Sequence, residues 1–265
     1  MNQEKLSETL VTNIYEHPFG ERTKLLLRLE IIFKQAITYR CCRDQYETQM
    51  CLNALFALLN LTKRYELRSV FLQELERVNT ILVQLQNSDK VNAEKIRQTC
   101  EKITTCKKIL HGLDSKHIER MRNIDFLKAI KLRNIHETGT YLFEIPELQY
   151  WLLQDAGQRE RQVKTWLEDF EPFRATADYL LYLLRDSAKS QSLVAQSGIY
   201  IKAVDTRSTT NQLLRINIKE YQTIYPSVSG DGYRYVIRFM ERNDIDTKPV
   251  QTSKSVCFEL SDCGI

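Results

Sequence analysis

Glycine and proline are scarce in this chain, 8 and 5 among 265 residues. Few positions are free to make tight turns, so long helices are favoured over many short strands. There is no glycine-rich loop and no glycine–lysine–serine/threonine tripeptide, which excludes a phosphate cradle built from backbone N–H groups. The serine elbow of acyl hydrolases is missing. So are the HExxH and CxxC signatures of zinc sites. No apolar run reaches the ~18 residues that a membrane span needs. Residues 1–12 have no apolar core of signal-peptide length. A large charge excess is also lacking. The 38 Lys and Arg against 34 Asp and Glu leave a net +4, below the level that marks a dedicated nucleic-acid binder.

Hydrophobic residues make up 43% of the chain and charged residues 27%, ordinary globular usage. The length allows one large domain or two modest ones. The seven cysteines are Cys41, Cys42, Cys51, Cys100, Cys106, Cys257 and Cys263. Their odd number and irregular spacing, without a secretion signal, predict reduced thiols in a cytosol. The histidines are His17, His111, His117 and His136. His111 and His117, six apart, fall on different faces of a helix, so a metal site with Cys100 or Cys106 is not expected. Glu168-Asp169 point apart on a helix, and no acid–base pair is assigned. The expectation is therefore no catalytic residue, no metal and no cofactor.

Periodicity supplies the architecture. Residues 1–14 read as a loose tail. Pro18 and Phe19-Gly20 open a helix whose stripe is Leu25, Leu26, Leu29, Ile32, Phe33, Ala36 and Ile37. A second helical pattern runs over Met50, Leu52, Leu55, Phe56 and Leu59. In a third, from about Glu66 to Gln86, Phe71, Leu75, Val78, Leu82 and Leu85 alternate steps of four and three, the spacing of a bundle seam. Asn87-Ser88-Asp89 reads as turn and cap. A fourth helix puts Ile96, Cys100, Ile103 and Leu110 inward and stops near Gly112. Residues 115–135 form a more basic fifth. Thr140 to Ile145 alternates and reads as a strand. Pro146 to Gln154 reads as a helix with proline at its first position. Arg159 to Ala188 is helical, broken or bent at Pro172. From Gly198 the period is two, with strands at Leu213 to Ile218, Tyr233 to Phe239 and Ser255 to Leu260. Tyr225-Pro226 and Ser229-Gly230-Asp231-Gly232 read as turns. The expected fold is α+β: an N-terminal helical bundle, then a smaller antiparallel β-sheet domain flanked by helices. The expected domains are a tail at 1–14, a helical domain at 15–138 and a β-rich domain at 139–265.

Two features stand out. The first is arginine in apolar surroundings. Arg28 interrupts the Leu-rich first helix. Arg64 and Arg68 open the third helix, the end where the dipole disfavours cations. Arg234 and Arg238, four apart on a strand, project to one face beside Val236. Such guanidinium groups are candidate donors for a partner's carboxylate. The second feature is the aromatic cluster Tyr150, Trp151 and Trp166, where Trp166 reads as a buried core anchor.

Six blocks carry a family resemblance. They are YEHPFGERTKLLLRLE at Tyr15 to Glu30, FEIPELQYWL at Phe143 to Leu152, RERQVKTWL at Arg159 to Leu167, LLRINI at Leu213 to Ile218, IYPSVSG at Ile224 to Gly230 and YRYVIRFM at Tyr233 to Met240. Their order and spacing resemble the ZapD family of Z-ring-associated bacterial cell-division proteins. The resemblance implies a cytoplasmic, non-enzymatic homodimer with a helical and a β-rich domain. Such a protein binds the C-terminal tail of FtsZ, the tubulin-like division GTPase, and bundles its filaments at midcell. It also implies a basic tail-binding surface at Arg28, Arg64, Arg68, Arg234 and Arg238. Departures lie at residues 1–14, around His117 to Asp125, and in the Thr206 to Asn211 and Asn243 to Ser253 loops. The competing reading is a nucleic-acid binder using the basic segment 107–133, which holds Lys107, Lys108, Lys116, Arg120, Arg122, Lys128, Lys131 and Arg133. That segment has few aromatics for stacking bases, and neither nucleic acid nor membrane is the expected partner.

Overall fold

Helix ends in this chain follow local side-chain chemistry, as a computed structural model describes for residues 13–86, 92–114, 116–134, 142–203, 211–218, 223–242 and 244–265. The helices are α1 (Glu21–Thr38), α2 (Gln45–Arg64), α3 (Leu67–Leu85), α4 (Ala93–Gly112), α5 (Lys116–Arg122), α6 (Asp125–Asn134), α7 (Pro146–Leu152), α8 (Ala156–Glu168) and α9 (Glu171–Asp186). Asp44 caps α2 by accepting from the N–H groups of Tyr46 and Glu47, both at 2.8 Å. Asn92 caps α4 from Lys95 N at 3.1 Å, and Asp155 caps α8 from Gly157 N at 2.9 Å. Each satisfies backbone donors that have no intrahelical acceptor. Pro146 sits in the first turn of α7, where its missing N–H costs nothing.

Contacts divide the chain into two compact units, Leu25–Leu181 and the combination of Met1–Lys24 with Tyr182–Ile265. The boundaries fall inside α1 and α9. The boundary expected at 138–139 lies outside the described residues. The first unit is helical. Its core holds Leu29, Phe33, Leu52, Leu55, Leu58, Phe71, Leu75, Ile103, Leu110 and Phe170, all buried. Phe71 and Phe173 meet with ring centroids 6.0 Å apart. The seam of α3 buries Phe71, Leu75 and Val78 within this unit, while Leu85 is exposed. Buried Arg159 donates to Leu152 O at 2.8 Å, to Gln154 O and to Cys42 O at 2.7 Å. It ties the connection after α1 to the end of α7.

The second unit holds the strands β1 (Ile14–Pro18), β2 (Gln191–Ala195), β3 (Ile199–Ala203), β4 (Leu213–Asn217), β5 (Ile224–Gly230), β6 (Arg234–Glu241), β7 (Val250–Gln251) and β8 (Val256–Cys263). One antiparallel sheet has the order β1-β4-β8-β2. The other has β3-β6-β5, with β7 also paired to β6. Inward residues of both sheets form one core, including Ile216, Tyr235, Ile237, Phe239, Val256, Phe258 and Leu260. This is a sandwich built by period-two alternation. The hydroxyl of Tyr235 donates to Asp262, which also receives Asn211 at 3.0 Å and Lys202. Glu16 on β1 accepts from Arg185 at 2.7 Å and Arg215 at 3.0 Å.

Three readings of the sequence are corrected. Leu142–Glu144 is a 3-10 turn, not part of a strand. It closes directly into α7, and the other half of that expected strand lies outside the described residues. Tyr225-Pro226 is not a turn but lies within β5. Phe239, opposite Pro226, directs its N–H to Gly198 O and its C=O to Thr252 N. Pro226 therefore faces β6 at a position that needs no N–H, on an edge strand. Asp169 and Phe170 separate α8 from α9, so the break precedes Pro172 and the proline falls in the first turn of α9. Asn87-Ser88-Asp89 lies outside the described residues.

Candidate functional site

The outward face of β6 carries Arg234 and Arg238, both exposed, while Tyr235, Ile237 and Phe239 point inward. Register fixes their neighbours. On one side Ala203, Ile201 and Ile199 of β3 lie opposite Arg234, Val236 and Arg238. On the other, Ser229 and Ser227 of β5 lie opposite Val236 and Arg238. The result is an aliphatic strip of Ile201 and Val236 with a guanidinium at each end. Ile201 is 56% exposed, so the strip faces solvent. Arg238 Nη1 donates to Ser229 Oγ at 3.2 Å, which steadies it without neutralising it. Arg234 has no side-chain partner among the described residues. A carboxylate or apolar group arriving here meets two unneutralised donors around a small apolar floor.

The β5–β6 turn sets this geometry. Asp231 Oδ1 accepts from the N–H groups of Tyr233 and Arg234, each at 2.8 Å, an Asx turn. Those bonds hold the Asp231 carboxyl below its ordinary range. Gly230 has φ +123, and a Cβ there would lie 2.2 Å from Arg234 O. Only glycine fits beside the backbone that presents Arg234.

The other expected arginines belong to the helical unit and differ from one another. Arg28 is exposed on α1, whose buried apolar positions are Leu25, Leu26, Leu29, Phe33 and Ala36. It does not interrupt the apolar stripe but stands off it, beside exposed Ile31. Arg64 ends α2 and does not open α3, so it sits where the helix dipole favours a cation. It lies over the Tyr65 ring at 5.4 Å. Arg68 is in the first turn of α3. Its Nη2 donates to His111 O at 2.9 Å and its Nη1 to Leu113 O at 3.4 Å. These are carbonyls at the end of α4 that lack intrahelical donors. The extended backbone of Tyr65 (φ −120, ψ 133) separates α2 from α3, so the one-turn spacing of Arg64 and Arg68 does not align them.

The basic segment is divided among the end of α4, α5 and α6. Lys107 is paired with Glu76, and Lys128 approaches Asp125 at 3.7 Å. Trp166 is buried, with its ring centroid 5.9 Å from Trp151 and 6.4 Å from Phe126, while Tyr150 is exposed. Trp151 Nε1 donates to Gln162 Oε1 at 2.7 Å. Trp151 and Trp166 are core anchors, with the Trp151 indole N–H satisfied. Among the described residues no group of three or more His, Cys, Asp or Glu is placed to hold a metal. No described helix is long and apolar enough to cross a membrane. His136 lies outside the described residues.

Comparison with known proteins gives one consistent result. The profile of the ZapD family, described as a cell division protein, matches residues 27–238. The cell division protein ZapD of Chromobacterium violaceum is 30% identical over 250 residues, 94% of this chain and 98% of the relative. That of a Janthinobacterium species is 30% identical over 251 residues, 95% of this chain and 99% of the relative. That of an Azoarcus species is 27% identical over 251 residues, covering 95% and 99%.

Proposed function

We propose, from the premise that this chain belongs to the ZapD family of cell division proteins, that it is a cytoplasmic adaptor, not an enzyme, which binds the C-terminal tail of FtsZ and crosslinks FtsZ filaments. Recruitment to midcell follows from that binding. The observation that carries this reading is the outward face of β6, where Arg234 and Arg238 bracket Val236 and Ile201. The FtsZ tail is a short, flexible peptide with an apolar centre and charged residues. An aliphatic strip with a guanidinium at either end is complementary to such a ligand. Arg28 and Arg64, exposed on the helical unit, are candidate tail donors within that unit. Arg68, already engaged with α4, contributes by holding its own unit together.

A flexible tail loses ordering entropy on binding, so one site is weak. A two-fold homodimer carries two sites, and a filament displays many tails. Avidity then raises overall binding by roughly 10²–10⁴ without any new contact. Crosslinking needs only that the two sites engage different filaments.

The test is the paired reversal Arg234→Glu and Arg238→Glu. Tail affinity is read by fluorescence anisotropy and bundling by co-sedimentation with FtsZ polymers. Loss of both is expected, at ~2 kcal/mol or more in affinity, with circular dichroism unchanged and ultracentrifugation still giving about twice 31.2 kDa. A reversed variant that binds the tail as tightly as the parent overturns the assignment, and a parent that sediments as a monomer overturns the crosslinking mechanism. A DNA-shift assay at two salt concentrations tests the nucleic-acid reading in parallel.

A further inference from the structure

A second cationic surface lies within the helical unit, made by α2, α5 and α6. It is a groove of 480 Å³ lined by Phe56, Leu59, Leu127 and Leu132 on the apolar side and by Lys63, Arg122, Lys128 and Lys131 on the charged side, with Glu119 and Asn123 completing it. Phe56, Leu59 and Leu127 are nearly buried and form the floor, whereas Leu132 is 65% exposed and forms the apolar rim.

The charges here are crowded and poorly neutralised. Lys63 and Lys131 have no carboxylate partner among the described residues. Arg122 uses Nη2 on Thr62 Oγ1 at 2.7 Å and on Leu59 O at 3.5 Å. Its buried Nε has no partner among the described residues. Lys128 has only Asp125 at 3.7 Å. Burial, together with the charges of Lys63 and Arg122, pushes the Lys131 ammonium below its ordinary pKa. Like charges held together over an apolar floor repel one another, and an arriving anion relieves that repulsion. A groove of this volume holds a few side chains of a ligand.

We propose that this groove is a docking site for an acidic amphipathic peptide segment of a partner protein, with apolar side chains set against Leu132 and the floor and carboxylates set among Lys63, Arg122, Lys128 and Lys131. The apolar half selects a peptide over a nucleic acid, because a phosphate backbone gains nothing from leucine and the groove offers no exposed aromatic ring for a base. The site uses none of the five arginines assigned to the FtsZ tail, and it stands or falls independently of that reading.

The probe is a short fluorescein-labelled peptide with leucine and glutamate at amphipathic helical spacing, titrated into the full chain at two salt concentrations. Its partners are the same peptide with glutamine for glutamate and a labelled duplex oligonucleotide. Two variants test the two halves: Lys63→Gln with Lys131→Gln, and Leu132→Ser. Lys63 and Leu132 are exposed and Lys131 is half-buried, and circular dichroism checks the fold. A control, Lys108→Gln with Lys164→Gln, removes the same charge elsewhere in the unit. The expected result is an affinity loss of about tenfold in each groove variant, none in the control, weak binding of the glutamine peptide, and proton uptake on binding at alkaline pH as Lys131 recovers its charge. Unchanged affinity in either groove variant overturns the proposal. So does an oligonucleotide that binds the parent more tightly than the acidic peptide, which would make the groove a site for phosphates.

Discussion

Replacing Arg68 with alanine separates a structural arginine from a ligand-binding one. The guanidinium gives one well-placed bond to His111 O at 2.9 Å and one long bond to Leu113 O at 3.4 Å. Hydrogen bonds to charged groups are worth about 1.5–3 kcal/mol when sheltered. The shorter bond is solvent-exposed and the longer is at the edge of bonding distance, so together they contribute ~1.5 kcal/mol. A cation at the negative end of the α4 dipole adds ~0.5 kcal/mol. Arg68→Ala should therefore cost about 2 kcal/mol. For a unit of this size that lowers the melting temperature by roughly 4–8 °C. Arg68→Lys keeps the charge but loses the planar fork, and should recover about half of the loss. The assay is a thermal melt and a urea titration of each variant, with tail affinity measured below the transition. If Arg68→Ala melts with the parent and loses tail binding, the capping argument fails and Arg68 is a ligand contact.

Gly230→Ala should destabilise the β5–β6 hairpin by ~2 kcal/mol or more, since φ +123 and a 2.2 Å approach to Arg234 O leave no room for a Cβ. A lower urea midpoint, with weaker tail binding through the displaced Arg234, checks this. A thiol reagent at neutral pH should modify exposed Cys257 in the folded protein and leave Cys263 untouched until denaturant is added, as read by peptide mass spectrometry. Cys263 is buried, and burial pushes its thiol up to about 11, so little reactive thiolate forms. His17 should make the fold acid-sensitive. Burial, then the charge of Lys24, holds its imidazole below the ordinary 6.5, so the unfolded chain takes up the proton at higher pH than the folded one. Stability is present above 6.5 and is lost as pH falls through the lower folded value. Urea midpoints of parent and His17→Gln on either side of that value should converge in the variant; an unchanged acid dependence would exclude His17 as its source.

Long apolar stripes were legible because their period is a direct image of burial. Leu25, Leu29 and Phe33 on α1, and Phe71, Leu75 and Val78 on α3, are inward as their spacing predicts. Alternation likewise revealed β4, β6 and β8, each with inward residues at every second place. Strands without that alternation were not legible, whatever their length. β1 has five residues, and its Glu16 is held by arginines distant in sequence, Arg185 and Arg215, so nothing local announces it. The Ser197-Gly198 turn joining β2 to β3 has φ +48 and +67, the two left-handed residues of a tight hairpin, yet serine is an unusual first member of that pair. The junction of α2 and α3 contains neither glycine nor proline. Nothing local therefore marks that Arg64 ends α2 and does not open α3, although the start near Glu66 agrees with α3.

The same distinction governs the site. Spacing alone puts Arg234 and Arg238 on one face, because a strand's direction is fixed every two residues. Spacing cannot say whether an arginine is free. Arg68, Arg159, Arg185 and Arg215 look no different in sequence from Arg28 or Arg234, yet the first four are engaged by carbonyls or by Glu16. A cation so engaged already has its hydrogen bonds made in the folded chain, and a ligand must break them to use it. A cation left without a partner beside exposed aliphatic surface has no such competitor, and its neighbours repel it until an anion arrives. By that criterion the surfaces proposed for ligand binding are the Arg234–Val236–Arg238 face with Ile201, and the groove in which Lys63 and Lys131, without a carboxylate partner among the described residues, stand beside Leu132. In both, apolar contact supplies affinity that salt does not screen, while the cations choose the sign of the partner. Raising ionic strength should therefore weaken both sites without abolishing either, whereas removing the aliphatic member, Ile201 in one and Leu132 in the other, should leave a salt-sensitive residue of binding that vanishes near 1 M salt, where the Debye length falls to about 3 Å.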